Sequence, residues 1–410
     1  MAISTSTSVL VIGGGATGTG IARDLALRGV DVTLAEGGGL SAGASGRSHG
    51  LLHSGARYAE SDAAGARECI EENRILRDIA GECIRETRGL FVQLTDDDPA
   101  YFDAKRDACE ELGIPVDVID GDLARDAVPE LSADIERAMW VPDAVVLPSR
   151  LVAANAADAR DHGGDILTHA PVNSMTVEDG RITSVSLGGE FSETIEPTVV
   201  VNAAGAHAGG VAELADVSVE MRPTRGVMVA IEHGGLGPVL NRCREPADGD
   251  IVVPHEDEVV LGTTSVPVSD PDEFSREEWE VEQTIQECAA MLPSVADEPQ
   301  LRTWWGVRPL YEPDEAARGG RGISRGFFEL DHAHADDGVE NFVSIVGGKL
   351  TTYRRMAESV ADLVCERLGV DESSSTAERE LPGASEPAEL DAFVREFDGQ
   401  GPTDTDLVGR

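Results

Sequence analysis

Lysine is almost missing from this chain. Only Lys105 and Lys349 are lysines among 33 basic residues, and the remaining 31 are arginines. Basic charge as a whole is scarce, because 76 Asp and Glu outnumber it and set a formal net charge of -43. Nucleic acid is excluded as a partner, since phosphate contact needs a basic face. The acidic residues run along the whole chain, which excludes an acidic-tail segment. Many carboxylates with so little lysine is the composition expected of a protein from a high-salt cytoplasm. Molar salt there shortens the Debye length to roughly 3 Å and screens the self-repulsion.

Paired cysteines are missing as well. The six are Cys69, Cys83, Cys109, Cys243, Cys288 and Cys365. They are too widely spaced to form a CxxC redox or metal pair, and buried free thiols in a reducing cytosol are expected. Long apolar runs are also lacking. No stretch approaches the roughly 20 residues of a membrane span, and residues 1–8 are too polar for a secretory signal. What remains is 410 residues, 41% of them hydrophobic, enough for two domains and a sizeable core.

The N-terminus carries the strongest local signal. Ser8–Ile12 is an apolar run expected to be a buried parallel strand, residues 13–20 a glycine-rich turn, and Ile21–Arg28 a helix ended by Gly29. Val30–Glu36 follows as a second strand, and residues 37–57 read as a long functional loop. Ala64–Ala80 is expected to be helical, with Cys69, Ile70, Leu76 and Ile79 on its apolar face. Val172–Val177 and Arg181–Leu187 alternate around Glu178-Asp179-Gly180, a hairpin signal. Further strands are expected at Val199–Asn202, Val227–Ile231, Ile251–Val253 and Val259–Gly262, with a helix near Glu277–Met291. Asn341–Val346 is a late buried strand. Gly347 and Gly348 then lead into a helix ending near Leu368. From Asp371 onward the Ser-, Glu- and Pro-rich chain reads as a linker.

Gly13, Gly15 and Gly18 form a GxGxxG turn between strand and helix. The first allows the tight turn, the second admits a pyrophosphate close to the backbone, and the third lets helix pack on strand. The helix N-terminus then faces the phosphates. Glu36 closes the next strand, placed to accept hydrogen bonds from a ribose and unfavourable to a 2′-phosphate. This motif alone leaves FAD or NAD open. The late pair Gly347-Gly348 favours FAD, because the helix after it would aim its positive end at the flavin N1 and O2 atoms and stabilise the anionic reduced ring. One of the two lysines, Lys349, stands in that turn.

Taken together, Gly13–Gly18, the run from Gly50 through Leu51, His53 and Arg57 to Tyr58, the segment Gly306–Leu310 and the segment Gly347–Arg354 resemble the FAD-dependent glycerol-3-phosphate dehydrogenases. Residues 66–73 and Asn241-Arg242-Cys243-Arg244 are more similar to the catalytic subunit of the anaerobic enzyme than to the aerobic single-chain enzyme. The resemblance spans roughly residues 8 to 385. It implies an α/β fold like that of D-amino-acid and glycine oxidases, with a discontinuous Rossmann-like FAD-binding domain and an inserted, mostly antiparallel substrate domain. The expected division is 1–77, 146–215 and 325–370 for FAD, 78–145 and 216–324 for substrate, and 371–410 as linker and start of a further segment. By matching positions, Ala16, Thr17, Ser45, Ser48, Gly50, Leu51, Val172, Ala204, Gly205, Leu350 and Thr351 would join the glycines and Glu36 at a non-covalent FAD. Arg57, Tyr58, Arg308, Arg325 and Lys349 would line the substrate site, with His53 nearby.

The residue chemistry points the same way. The phosphomonoester dianion of sn-glycerol 3-phosphate needs several cations, and arginine's planar fork suits it. Hydride transfer from C2 to flavin N5 also needs removal of the C2 hydroxyl proton. The candidate bases are His53, Lys349 with a depressed pKa, or water polarised by Arg308. Aerobic relatives place a histidine after a basic-Gly pair, but here Arg225-Gly226-Val227-Met228 holds none. The resemblance also implies two further subunits, one rich in iron–sulfur, that keep the catalytic chain at the cytoplasmic face of the cell membrane and pass electrons to quinone. A cysteine-rich C-terminal domain belongs to that pattern. This chain stops at Arg410 without one, and residues 401–406 read as the start of a further segment. The competing readings are a same-fold flavin oxidoreductase acting on a 2-hydroxy acid or an amine, and a non-catalytic FAD-binding subunit. The cluster of arginines with Lys349 speaks against both.

Overall fold

The computed structural model describes residues 5–311, 326–334 and 338–402. Its first sheet is built around Ser6–Ile12, which pairs in parallel with Val32–Ala35 on one side and Thr194–Asn202 on the other. Asp165–Leu167 and Phe342–Gly347 extend the parallel set at either end. Residues 9–12, 32–35, 199–202 and 342–346 are buried on both faces and rich in Val, Leu and Ile, as parallel strands covered by helices must be. The helix Ala16–Leu27 covers one face, packed between Pro148–Asp161 and Tyr353–Leu368. Its alanines allow the close approach. The hairpin Val172–Glu178 and Arg181–Leu187 turns at Asp179 and Gly180, both at positive φ, and shields the other face with the short helix Ala208–Glu213.

Among the described residues, a second sheet of nine strands has its own core. Thr224–Glu232 lies between Glu258–Gly262 and Gln300–Arg308, and Gly89–Leu94 and Ile135–Val141 add the strands from earlier in the chain. Its pairs are antiparallel except Val239–Arg242 with Gly89–Leu94. A small sheet of Leu51–Leu52, Ala144–Val146 and Ile84–Arg85 lies beside the long loop that follows the first parallel strands.

The expected elements recur with shifts of a few residues, the first helix starting earlier, at Ala16. All six cysteines are free and buried. Burial pushes the thiols of Cys69, Cys83, Cys109 and Cys243 up to about 12, so they stay protonated. The stretch from Asp371 is the main difference from expectation. It carries a helix, Pro387–Glu396, and buries Leu381, Leu390, Phe393 and Phe397 against the first sheet's helices. Gln400 N–H donates to Leu40 O at 3.0 Å, so this end is stapled to the loop after the second parallel strand. The Ser, Glu and Pro content masks Leu390, Phe393 and Phe397 at helical spacing, with Leu381 ahead of them. Among the described residues no helix is long and apolar enough to cross a membrane, and no His, Cys, Asp and Glu cluster could hold a metal.

Candidate functional site

A cavity of about 640 Å³ opens along the C-terminal ends of the parallel strands, within the range of roughly 300–1,000 Å³ usual for ligand sites. Its floor is the first glycine turn. Gly13 sits at φ +114, and a Cβ on Gly18 would run into the Gly13 carbonyl oxygen. No other residue type fits either position, because one needs a left-handed backbone and the other close helix–strand contact. Gly15, Ala16 and Thr17 also line the cavity. Ala16 N–H, at the helix start, donates to Ser45 Oγ at 3.0 Å.

Glu36 is held by backbone. Gly14 N–H donates to its Oε2 at 2.6 Å and Gly38 N–H to its Oε1 at 2.8 Å. Each carboxylate oxygen keeps a second lone pair, which suits a ribose hydroxyl. Val172, Ala204, Gly205, Gly347, Gly348 and Leu350 line the same cavity. Gly347 and Gly348 have φ near +80 and +78, and a Cβ on Gly348 would strike Met356 Sδ. The backbone therefore passes bare beside the cavity before turning into Leu350–Thr352 and the helix from Tyr353. Ser48, Gly50, Leu51 and Thr351 stand outside the lining. Ser48 Oγ accepts from Gly50 N–H at 3.3 Å, and Thr351 Oγ1 accepts from His53 N–H at 3.0 Å. A long cavity with glycine-bared walls, a ribose-competent carboxylate and a helix N-terminus between them fits a dinucleotide of the FAD type.

The other candidate residues form two groups. Lys349 lines the cavity, and its Nζ lies 4.9 Å from the centre of the Tyr58 ring. Tyr58 meets the His53 ring edge-on at 5.3 Å, and His53 in turn approaches His49 at 6.4 Å. Arg57 is ion-paired at 3.0 Å to Asp250, a fully buried carboxylate that also meets Arg244 at 3.3 Å. Arg308 belongs to the second sheet, at the end of Gln300–Arg308, and its neighbours Val307 and Pro309 line the same cavity. Its guanidinium donates to Thr263 Oγ1 at 2.7 Å and to Thr264 O at 3.1 Å. Arg325 lies outside the described residues.

Several supporting residues escape a reading of the sequence. Asp143, raised in pKa mainly by burial, accepts from Ser54 N–H at 2.7 Å, while Asn73 Nδ2 donates to His53 O at 3.3 Å. Both hold the segment carrying His53. Arg225 is buried against Glu280, which also accepts from Thr264 Oγ1 at 2.8 Å, so that pair braces the Arg308 cradle from behind. His255 is buried beside Gly50 and meets His49 O through Nε2 at 2.9 Å. Burial lowers its pKa to about 4, so the ring is neutral and Nε2–H is the donor. Arg47, His207 and Asp272 line the cavity, and the last two are paired at 3.0 Å. Only a histidine in an otherwise apolar strand, at 255, leaves a readable mark in the sequence.

The family model for FAD dependent oxidoreductases matches residues 8–358. The A1 component of an anaerobic glycerol-3-phosphate dehydrogenase from Haloferax volcanii is 49% identical, covering 97% of this chain and 70% of that protein. The corresponding component of the anaerobic glycerol-3-phosphate dehydrogenase from Escherichia coli is 44% identical over 94% of this chain and 72% of its own length. Among solved structures, a glycerol-3-phosphate dehydrogenase from Bacillus halodurans complexed with FAD superposes with a TM-score of 0.69. At 23% identity, it covers 96% of this chain and 71% of that one.

Proposed function

We propose, from the premise that the chain belongs to the FAD-dependent oxidoreductases and among them to the anaerobic glycerol-3-phosphate dehydrogenases, that it oxidises sn-glycerol 3-phosphate to dihydroxyacetone phosphate. The observation that carries the reading is the 49% identity over nearly the whole chain. The site agrees with it, because Lys349 lines a cavity suited to FAD and both chain neighbours of Arg308 line that same cavity.

FAD, bound along the glycine turns, supplies the two-electron acceptor for the hydride leaving C2. The protein's own residues do the rest. Gly13, Gly15, Gly18, Gly347 and Gly348 keep the backbone close to the cofactor, and Glu36 holds its ribose. Arg57, Arg308 and Lys349, with Arg325, bind and orient the phosphate. Tyr58 presents its ring between Lys349 and His53. The C2 hydroxyl proton leaves to His53, to Lys349 or to water polarised by Arg308, and the pH profiles of His53→Gln, Lys349→Met and Arg308→Ala separate them. Residues 1–77, 146–215 and 325–370 form the FAD-binding part, which also carries His53, Arg57, Tyr58 and Lys349 toward the substrate, and 78–145 and 216–324 form the substrate cap, which carries Arg308.

Electrons then pass to quinone through partner subunits, one iron–sulfur rich and one that anchors the chain at the cytoplasmic face of the membrane. The test compares the isolated chain with membranes containing those partners. The isolated chain should form dihydroxyacetone phosphate with an artificial dye and reduce quinone slowly, and the membranes should restore quinone reduction. Quinone reduction by the isolated chain at the rate of the membranes would overturn the partner route. Absence of dihydroxyacetone phosphate with every acceptor would overturn the activity.

A further inference from the structure

We propose that Lys105 is a positioning residue for substrate binding, holding the turn Ala56–Tyr58 from which Arg57 and Tyr58 reach the site. The inference rests on the proposed oxidation of glycerol 3-phosphate. Both lysines of the chain meet this one turn. Lys105 Nζ donates to the carbonyl oxygen of Ala56, the first residue, at 3.0 Å, and Lys349 Nζ stands over the ring of Tyr58, the last.

Lys105 comes from the helix Pro99–Glu111 and is 1% exposed. Its ammonium lies 2.6 and 2.8 Å from the two oxygens of Glu60. It also stands 5.3 and 5.2 Å from the centres of the Phe91 and Tyr101 rings. Burial, with the Glu60 carboxylate beside it, pushes the Tyr101 hydroxyl far above its ordinary range, so it stays protonated. Burying an ammonium costs far more than burying an apolar side chain of the same volume. Between two aromatic rings an apolar residue would pack well, so core packing does not explain a lysine here. What lysine adds is a compact head whose donors diverge, reaching a backbone carbonyl and a carboxylate at once. Arginine's planar fork lacks that geometry, and this chain uses arginine at 31 of its 33 basic positions.

The turn needs such an anchor. Gly55, which opens it, sits at φ +94, where a Cβ would press on the backbone of Ala66. The 3₁₀ turn itself is only three residues long. Ala56 O on one side and Glu60 on the other bracket Arg57 and Tyr58, so one ammonium fixes both ends of the segment that carries them. Residues that bind a remote part of the substrate hold ground state and transition state alike. Loosening them therefore raises KM more than it lowers kcat.

The test uses the FAD-containing chain in molar KCl, with sn-glycerol 3-phosphate and an artificial dye. Two variants are compared, Lys105→Met with Glu60→Gln, which removes the charge pair without leaving an unpaired carboxylate, and Lys105→Arg, which keeps the charge. In both, KM should rise about tenfold or more while kcat changes about threefold or less and flavin content stays near wild type. KM within about twofold of wild type in both variants, with only thermal stability lowered, would make Lys105 a core ion pair and overturn the proposal. Loss of flavin from both variants without a separate rise in KM would overturn it too. If the wild-type chain itself fails to oxidise glycerol 3-phosphate, the underlying reading falls, and that result is visible before any variant is made.

Discussion

Around the glycine turns of the parallel sheet, the contacts are made by backbone. Gly14 and Gly38 hold Glu36 through N–H groups, and Gly13, Gly18, Gly347 and Gly348 matter for the side chains they lack. Around the His53–Tyr58 segment and Arg308, the contacts are made by buried charged and polar side chains. Arg57 reaches Asp250, Lys105 reaches Glu60, Asp143 holds Ser54, and Glu280 braces the strand pair behind Arg308. The first arrangement tolerates no new atoms. The second tolerates small changes but depends on every ion keeping its partner, because a buried charge left alone is costly. A cofactor that stays bound through many turnovers suits the first, and a charged substrate that must enter and leave suits the second.

Gly18→Val should have the largest effect. Any Cβ there collides with the Gly13 carbonyl, so the purified variant should be colourless, with its absorbance at flavin wavelengths lost. A yellow Gly18→Val protein would mean that the turn is not where FAD binds. Next is Arg308→Ala, which should keep its flavin. Its KM for glycerol 3-phosphate should rise about tenfold to a hundredfold, the loss of one charge-assisted contact of about 1.5–3 kcal/mol. If flavin and substrate affinity fall together, the two sides are not separable.

His255 sharpens the comparison through pH, because it lies under the backbone at Gly50 but is itself an ionisable side chain. Its folded pKa is about 4 against 6.5 unfolded. Above pH 6.5 both states leave it neutral and it has no effect. As pH falls from 6.5 to 4 the unfolded chain takes up a proton that the folded chain refuses, so stability is lost, by about 3 kcal/mol at most. Buried carboxylates with raised pKa, such as Glu72 and Asp143, act in the opposite sense. The pH dependence of unfolding should therefore be compared between wild type and His255→Gln, which can still donate to His49 O. The variant should lose less stability over that window, and an identical acid limb would show that His255 is protonated in the folded state.

The same contrast explains what is legible in the sequence. The glycine turn, Glu36 and the late Gly347-Gly348 pair are local patterns, and a strand before and a helix after suffice to interpret them. The charged partners are not local. Asp250 is 193 residues from Arg57, and Glu280 is 55 from Arg225. One acidic residue among 76 has no mark that it will be buried against an arginine. After Asp371 the composition is that of a linker, and it hides that Leu381, Leu390, Phe393 and Phe397 face one core. Lys105 is visible as a rarity, but its task is not, because Phe91 and Ala56 reach it from other elements and only Tyr101 shares its helix.

The reductive half-reaction decides the activity. The purified, flavin-containing chain should be mixed anaerobically in molar KCl with sn-glycerol 3-phosphate, glycerol, a 2-hydroxy acid and an amine, and flavin absorbance followed in each. Glycerol 3-phosphate should bleach the flavin and glycerol should not, because the cationic residues proposed for the substrate site select the phosphate. Bleaching by glycerol to the same extent, or by the 2-hydroxy acid or amine while glycerol 3-phosphate leaves the flavin oxidised, would contradict the proposed activity.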